Sequence, residues 1–361
     1  MYEELTSLAA SNEAAKALLK LISEDGAGTW PPTVNHHHDS WPTALQPYKE
    51  IYHKMAHLLP VSTPYLHDDV NEARIKSFRL QFRRLLEDNV NIYEVENLLK
   101  SVEAGSWDQV SRETYNALYS CLSWSRHAYR WGTLPVVKVA QLEELSNLPE
   151  QLTLPWQYLQ KHFGCTSEAG NITSCMILNF DQHGKYIHIA NSGLEKDIVH
   201  AEEDFSRIIR DVESLALPIY LDMILSIIAF SKGDMECCAI HLSAIASQLR
   251  PTFNVYFGRM HDTNIPFSKW LSHVQGFYAW EAGYMNKESG ELVKFDGLSG
   301  NQVMLFQALD AFLGLDEYLS PESLERNVPS RQRDFCSILR KNSFRKMSGY
   351  DFLDPHIKLD L

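Results

Sequence analysis

The chain has 361 residues, of which 45% are hydrophobic and 22% are charged, and its formal net charge is −13. This composition is typical of a folded protein, and the length fits one large or two moderate domains. The acidic balance argues against a nucleic-acid partner, because neutralising phosphates requires clustered Lys and Arg. The six cysteines form no paired CxxC motif, which argues against a zinc site. The acidic, amphipathic N-terminus is neither a signal peptide nor a transit peptide, so we expect a cytoplasmic protein.

Helical periodicity dominates the first part of the chain. Apolar residues recur at three- and four-residue spacing near the N-terminus, at residues 71–88 and at residues 112–131. The stretch WPPTVNHHHDSWP, between the first two of these segments, predicts an irregular surface loop. Its consecutive histidines His36, His37 and His38 cannot all converge on one ion from an extended loop, so a solvated loop is favoured over a metal site.

Residues 175–190, CMILNFDQHGKYIHIA, predict a small β-hairpin, because two β-rich runs flank a turn at Gly184. The segments on both sides of it have helical patterns, so the sequence predicts a mostly α fold. We expect two domains with a boundary just after the hairpin. Residues 1–197 would form an N-terminal α domain that includes the hairpin, and residues 198–361 an all-α domain.

Residues 215–230, LALPIYLDMILSIIAF, are the best candidate for a membrane span. A spanning helix needs about 20 apolar residues, whereas this run is shorter and contains Asp222. The run therefore predicts a buried helix, and we expect no membrane association.

Residues 295–314 read FDGLSGNQVMLFQALDAFLG, a glycine- and serine-bearing loop that leads into an apolar helix. Ser299 and Gln302 match a capping box, in which Ser299 accepts a hydrogen bond from the Gln302 amide and Gln302 reaches back. This cap does not account for Gly297 and Gly300, which leave the backbone free to approach another group closely. The loop is therefore either a helix cap or the ceiling of a buried pocket.

Common catalytic motifs are missing from the sequence. It contains no GxSxG, no HExxH, no phosphate-binding GxxxxGK[ST] and no Rossmann glycine fingerprint. If the protein is an enzyme, we therefore expect a cofactor to supply the reactive centre.

A series of short segments, in the same order, resembles the indoleamine 2,3-dioxygenase family. The segments are AYRWG (128–132), LTLPW (152–156), CMILNF (175–180), FSRIIRDVE (205–213), HDTNIP followed by Trp280, the loop and helix at 295–314, and VPSRQRDFCSIL (328–339). The resemblance extends from about residue 45 to about residue 346.

The resemblance implies a two-domain helical fold in which the larger C-terminal domain binds haem b, with its iron. It implies a monomeric dioxygenase that uses dioxygen to cleave the C2–C3 bond of a small-molecule indole, either tryptophan or a tryptophan-derived metabolite. Such a reaction belongs to tryptophan and kynurenine metabolism or to secondary metabolism. The alternative is a haem-free, non-catalytic relative that acts as a binding protein.

The same resemblance assigns residues to the site. It places Tyr129, Phe205 and Ile209 in the distal pocket, and Ser299 and Gly300 at the haem edge. It assigns no catalytic acid or base, because iron and bound oxygen carry the chemistry in this family.

Two positions depart from the family pattern. Val274 stands where the family has an arginine that binds the substrate carboxylate, so Lys269 or His273 would have to make that contact. A substrate without a free carboxylate is therefore expected. The family's haem-ligating histidine lies on a last helix, whereas here only His356 follows the VPSRQRDFCSIL segment. The chain is truncated, or uses His356 as the metal ligand in a rebuilt tail, or binds no haem.

Overall fold

The structure, a computed structural model, describes residues 2–26, 34–59, 68–135, 147–261, 263–281 and 296–344. These ranges are mostly helical, which confirms the predicted fold class. His356 lies outside the described residues, and the division into residues 1–197 and 198–361 stays a prediction.

Eight helices precede residue 176 in the described ranges. They are α1 (Tyr2–Ala9), α2 (Glu13–Glu24), α3 (Gln46–Ala56), α4 (Asp68–Asn89), α5 (Ile92–Glu103), α6 (Arg112–Trp131), α7 (Glu150–Phe163) and α8 (Ile172–Cys175). A short 3-10 helix, His38–Ser40, lies in the histidine-rich loop. That loop is irregular, as predicted, but its His36 side chain is buried.

Helix α6 is the central element of this part of the fold. The Ser111 side chain accepts a hydrogen bond from the Thr114 amide at its start, and Gly132 ends it in the left-handed conformation with φ 63°. Every residue from Thr114 to Trp131 is buried. The predicted helix at residues 112–131 is therefore confirmed at both ends.

The predicted hairpin at residues 175–190 is not formed by strands. A 3-10 turn covers Ile177–Asn179, and a single antiparallel bridge joins Phe180 to Tyr186 across the turn at Gly184. The Asn179 side chain bonds the amide and the carbonyl oxygen of His188, each at 2.8 Å. The Asn179 side chain thus makes hydrogen bonds that the backbone of a paired strand would otherwise make, because Asn side chains readily bond to neighbouring backbone groups. The described two-stranded sheet lies later, between β1 (Ala279–Glu281) and β2 (Asp296–Gly297).

Two long helices follow and pack along each other, α9 (Lys196–Ser231) and α10 (Met235–Arg259). In the described part of the chain, α9 is the one helix that is long and apolar enough to cross a membrane. Half of its most apolar 18-residue stretch is buried inside the protein. Such burial is what the sequence predicted for residues 215–230, and it is usual for a core helix.

The C-terminal part of the described chain consists of short elements. They are α11 (Phe267–Lys269), a π-helix at Trp270–Val274, α12 (Gln275–Tyr278), a 3-10 turn at Gly300–Gln302, α13 (Met304–Leu313), α14 (Pro321–Asn327) and α15 (Ser330–Lys341). Helices α13 and α15 pack together, and α15 also packs against α2 near the N-terminus.

Candidate functional site

The glycine–serine loop does not cap the apolar helix in the predicted way. Ser299 caps the 3-10 turn instead, where its hydroxyl oxygen lies 3.4 Å from the Asn301 amide nitrogen. The Gln302 side chain donates to the Gly297 carbonyl oxygen at 2.9 Å and accepts from the Ile172 amide at 3.2 Å. The capping-box prediction is therefore wrong, and Gln302 anchors the loop to α8.

Helix α13 is capped from a distant part of the chain. The buried Glu213 carboxylate of α9 accepts a hydrogen bond from the Leu305 amide at 3.0 Å and another from the Tyr220 hydroxyl at 3.0 Å. Burial raises the pKa of Glu213 to about 7, although these hydrogen bonds act in the opposite direction. The Glu213 side chain supplies an acceptor for an amide that has no partner within the helix, so it fixes the start of the helix behind the loop.

A cavity of about 290 Å³ lies between α13, α15 and the segment that joins α13 to α14. Its lining includes Asn301, Phe306, Asp310, Glu317, Cys336 and Arg340. We call it the α13–α15 cavity. Asn301, which directly follows Ser299 and Gly300, lines this cavity, and the pocket interpretation of the loop stays a prediction.

Charge and burial limit what the α13–α15 cavity can bind. The Arg340 Nε lies 3.4 Å from a carboxylate oxygen of Glu317, and the same guanidinium donates to the Leu315 carbonyl oxygen. Burial raises the pKa of the Cys336 thiol to about 12. Without a bound metal, Cys336 is therefore protonated at neutral pH.

Gly300 lies close to a phenol from α10. A Cβ atom at this position would stand 3.3 Å from the Tyr256 hydroxyl oxygen. Tyr256 in turn packs against a small apolar cluster made by Ala201, Ile208 and Ile265, and Phe205 packs against the same cluster. The structure thus brings the neighbourhoods of two predicted site residues, Phe205 and Gly300, together around Tyr256.

Phe205 and Ile209 lie one helical turn apart on α9. Ile209 is fully buried, whereas Phe205 is half-buried and its ring contacts that of Trp270, with centroids 3.9 Å apart and planes 38° apart. Trp270 opens the π-helix, a type of element that frequently occurs at functional sites. Sequence reasoning missed Trp270, and only its place near the HDTNIP segment could have indicated it.

A buried polar network lies beside Phe205. The hydroxyls of Tyr186, Ser206 and Tyr278 lie 3.3 to 3.4 Å from one another. Tyr186 also donates to Glu202 at 3.2 Å, and this carboxylate accepts from the Ala190 amide at 2.8 Å. Burial raises the pKa of Glu202. Sequence reasoning missed this network.

Tyr129 is buried at the end of α6, where its contacts reach α4. Its hydroxyl oxygen accepts a hydrogen bond from the Arg83 guanidinium at 2.9 Å, and its ring meets Phe82 edge-on with centroids 5.9 Å apart. The structure therefore places Tyr129 with α4, while Phe205, Ile209 and Gly300 lie with α9 and α10.

Both candidates for the carboxylate contact have partners at the surface. Lys269 forms an ion pair with Asp197, with nitrogen and oxygen 2.9 Å apart. His273 lies 2.6 Å from the Ser272 hydroxyl, and burial lowers its pKa. Val274, at the position of the family arginine, is buried.

A haem iron requires an axial side chain, most often histidine. Within the described ranges, no histidine lines the α13–α15 cavity. The interior His127 is already engaged, since its two ring nitrogens lie 2.8 and 2.7 Å from the carbonyl oxygens of Phe277 and Ala169. No three His, Cys, Asp or Glu side chains of the described residues group as a metal site would require. Among the described residues, the lining of this cavity therefore offers no axial ligand for a haem iron.

Comparison with known families gives one match. A family model described as indoleamine 2,3-dioxygenase matches residues 95–350, which is more than half of the chain. The matched range includes the five predicted pocket residues, the α13–α15 cavity and the Phe205–Trp270 contact. No individual curated protein matches the chain.

Proposed function

Because the chain belongs to the indoleamine 2,3-dioxygenase family, we propose that it is a haem-dependent dioxygenase acting on an indole ring. The family match over residues 95–350 is the observation that carries this proposal. The proposed reaction cleaves the C2–C3 bond of the indole, and its place is tryptophan, kynurenine or secondary metabolism. We propose a monomeric, cytoplasmic enzyme whose partners are the indole and dioxygen.

In this proposal haem b supplies the binding and activation of dioxygen, and the chain supplies the walls of the site. Phe205 and Ile209 on α9 form an apolar face suited to a planar aromatic substrate. Asn301, which directly follows Ser299 and Gly300, lines the α13–α15 cavity, where Phe306 adds an aromatic wall. The proposed axial ligand is His356, which is the histidine that the sequence offers after the VPSRQRDFCSIL segment.

The proposed substrate is an indole without a free carboxylate. Recognition of a carboxylate favours a free guanidinium, whose planar fork makes two parallel hydrogen bonds. Val274 provides no such group, and Lys269 is already paired with Asp197. An indole within a peptide, or a decarboxylated amine, suits such a site better than free tryptophan.

Titration of the purified protein with haem tests the cofactor part of the proposal. We expect a Soret band of a histidine-ligated haem that saturates at one haem per chain and is lost in His356→Ala. His241→Ala, which changes a half-buried histidine paired with Asp222 on another helix, is the matched control and should keep the band. A band that survives His356→Ala would exclude His356 as the ligand.

A second candidate function is a haem-free binding protein. It is favoured by one observation, the lack of a histidine among the described residues that line the α13–α15 cavity. The same titration separates the two candidates: absence of any Soret band at saturating haem would support the binding protein and contradict the dioxygenase.

A further inference from the structure

The histidine-rich loop and the turn after Phe180 enclose a second cavity, of about 320 Å³. We call it the histidine cavity. Three segments meet there: residues 34–38, Lys49 of α3 and residues 181–187. All three consecutive histidines line it, together with His183, so the loop is not simply solvated. Neither the family match nor the proposed reaction gives this cavity a role.

The charged side chains of the histidine cavity are unbalanced in favour of cations. Lys49 and Lys185 line it, and Asp181 is the one carboxylate in its described lining. One oxygen of Asp181 already accepts from the backbone amides of His183 and Lys185, each at 2.8 Å. Burial lowers the pKa of Lys49, and the nearby positive charge of Lys185 lowers it further. A positive cavity in a protein of net charge −13 favours an anionic ligand.

His36, one of the residues that line this positive cavity, carries an unpaired hydrogen-bond acceptor. Its Nε2 lies 2.7 Å from the Leu178 carbonyl oxygen, which can only accept, so Nε2 carries the ring proton. Burial lowers the pKa of His36 to about 4, so the ring is neutral at pH 7 and Nδ1 presents a lone pair. This Nδ1 is buried without a hydrogen-bond partner in the described part of the chain. An unpaired buried acceptor is unfavourable and indicates that a donor belongs beside it.

We propose that the histidine cavity binds a protonated oxyanion, free phosphate that carries a P–OH group. The ammonium groups of Lys49 and Lys185 neutralise its charge, and its P–OH group donates a hydrogen bond to Nδ1 of His36. A carboxylate or sulfate ion is ionised at neutral pH and has no such proton to give. A metal cation is disfavoured, because two ammonium groups stand in the cavity and the described residues offer no three-ligand group.

Calorimetric titration at pH 7 and fixed ionic strength tests the proposal with inorganic phosphate, sulfate and phenyl phosphate. We expect phosphate to bind at least about tenfold more tightly than sulfate, because only phosphate can donate to His36. This comparison needs no substitution at His36 and so cannot fail through misfolding. Phenyl phosphate, whose second pKa of about 6 leaves it mostly without a P–OH proton at pH 7, should bind more weakly than phosphate, and tighter binding would contradict the hydrogen bond to His36.

A pair of lysine variants locates the site. Lys185→Gln should weaken phosphate binding about fivefold, since it removes one ammonium group from the cavity. Lys232→Gln removes the same charge from the exposed end of α9 and should leave binding unchanged. Equal effects of the two variants, equal affinities for phosphate and sulfate, or zinc binding in place of phosphate would each overturn the proposal.

Discussion

The Glu213 carboxylate on α9 accepts a hydrogen bond from the Leu305 amide at the start of α13, at 3.0 Å. Both residues are buried, and the pair joins helices that lie far apart in the sequence. It also sets the position of the helix that carries Phe306 and Asp310 into the α13–α15 cavity. The stability of the candidate site therefore depends on one buried acid.

Removing this acid should destabilise the protein. Glu213→Ala leaves the Leu305 amide and the Tyr220 hydroxyl without their acceptor, which should lower the free energy of unfolding by about 3 kcal/mol. Glu213→Gln keeps an acceptor oxygen and should cost about 1 kcal/mol or less. Urea unfolding followed by circular dichroism measures both values, and equal losses in the two variants would contradict the capping role.

The raised pKa of Glu213 should make the free energy of unfolding depend on pH. Burial raises its pKa from the ordinary 4.5 to about 7, so the folded state binds a proton more tightly than the unfolded state. The contribution of Glu213 to the free energy of unfolding is therefore fully present below pH 4.5. It is lost as the pH rises through 7, by up to about 3 kcal/mol. Asp25, whose pKa burial also raises to about 7, acts in the same direction in every variant.

Comparison of the wild type with Glu213→Gln isolates this effect, because the amide does not titrate. We expect the stability of Glu213→Gln relative to the wild type to improve between pH 5 and pH 8. A difference that stays constant over this range would show that Glu213 is ionised throughout.

The contact between Gly300 and Tyr256 should appear as a coupling between two substitutions. Gly300→Ala places a methyl group 3.3 Å from the Tyr256 hydroxyl oxygen and should cost about 1 kcal/mol, because the phenol must move. In a Tyr256→Phe background the hydroxyl is absent and the cost should vanish. A double-mutant cycle by urea unfolding measures this coupling, and additive effects would place the loop away from Tyr256.

Phe205 should contribute to the indole site, and its substitution should leave the haem absorption spectrum unchanged. Phe205→Ala removes the ring that contacts Trp270 and the proposed apolar face, so kcat/KM for the indole should fall about tenfold. Phe257→Ala, at an exposed phenylalanine of α10, is the control and should leave kcat/KM unchanged. An unaltered kcat/KM in Phe205→Ala would remove Phe205 from the site.

Local sequence signals predicted α6 well because its end signals lie in the chain itself, Ser111 before it and Gly132 after it. The start of α13 could not be predicted in this way, because its cap, Glu213, is contributed by another helix. The predicted hairpin failed for a related reason: the Asn179 side chain supplies bonds that a strand partner would otherwise make. Local patterns do not encode such partners.

In the candidate site, too, the sequence indicates some residues, whereas others depend on contacts between distant segments. The resemblance of their helix to a family segment placed Phe205 and Ile209 in the site, and this assignment, like the pocket interpretation of the glycine–serine loop, stays a prediction. The Trp270 contact, the Tyr256 hydroxyl and the network around Tyr186 are tertiary contacts between segments without a shared motif.

Product analysis of the haem-loaded protein under isotopically labelled dioxygen tests the central claim most directly. Tryptamine, an indole without a carboxylate, and L-tryptophan serve as paired substrates. We expect a ring-opened tryptamine product in which both new oxygen atoms carry the label, with a lower kcat/KM for L-tryptophan. A product with one labelled oxygen atom would contradict the proposed dioxygenase. So would a protein that shows a Soret band but consumes no dioxygen with either substrate.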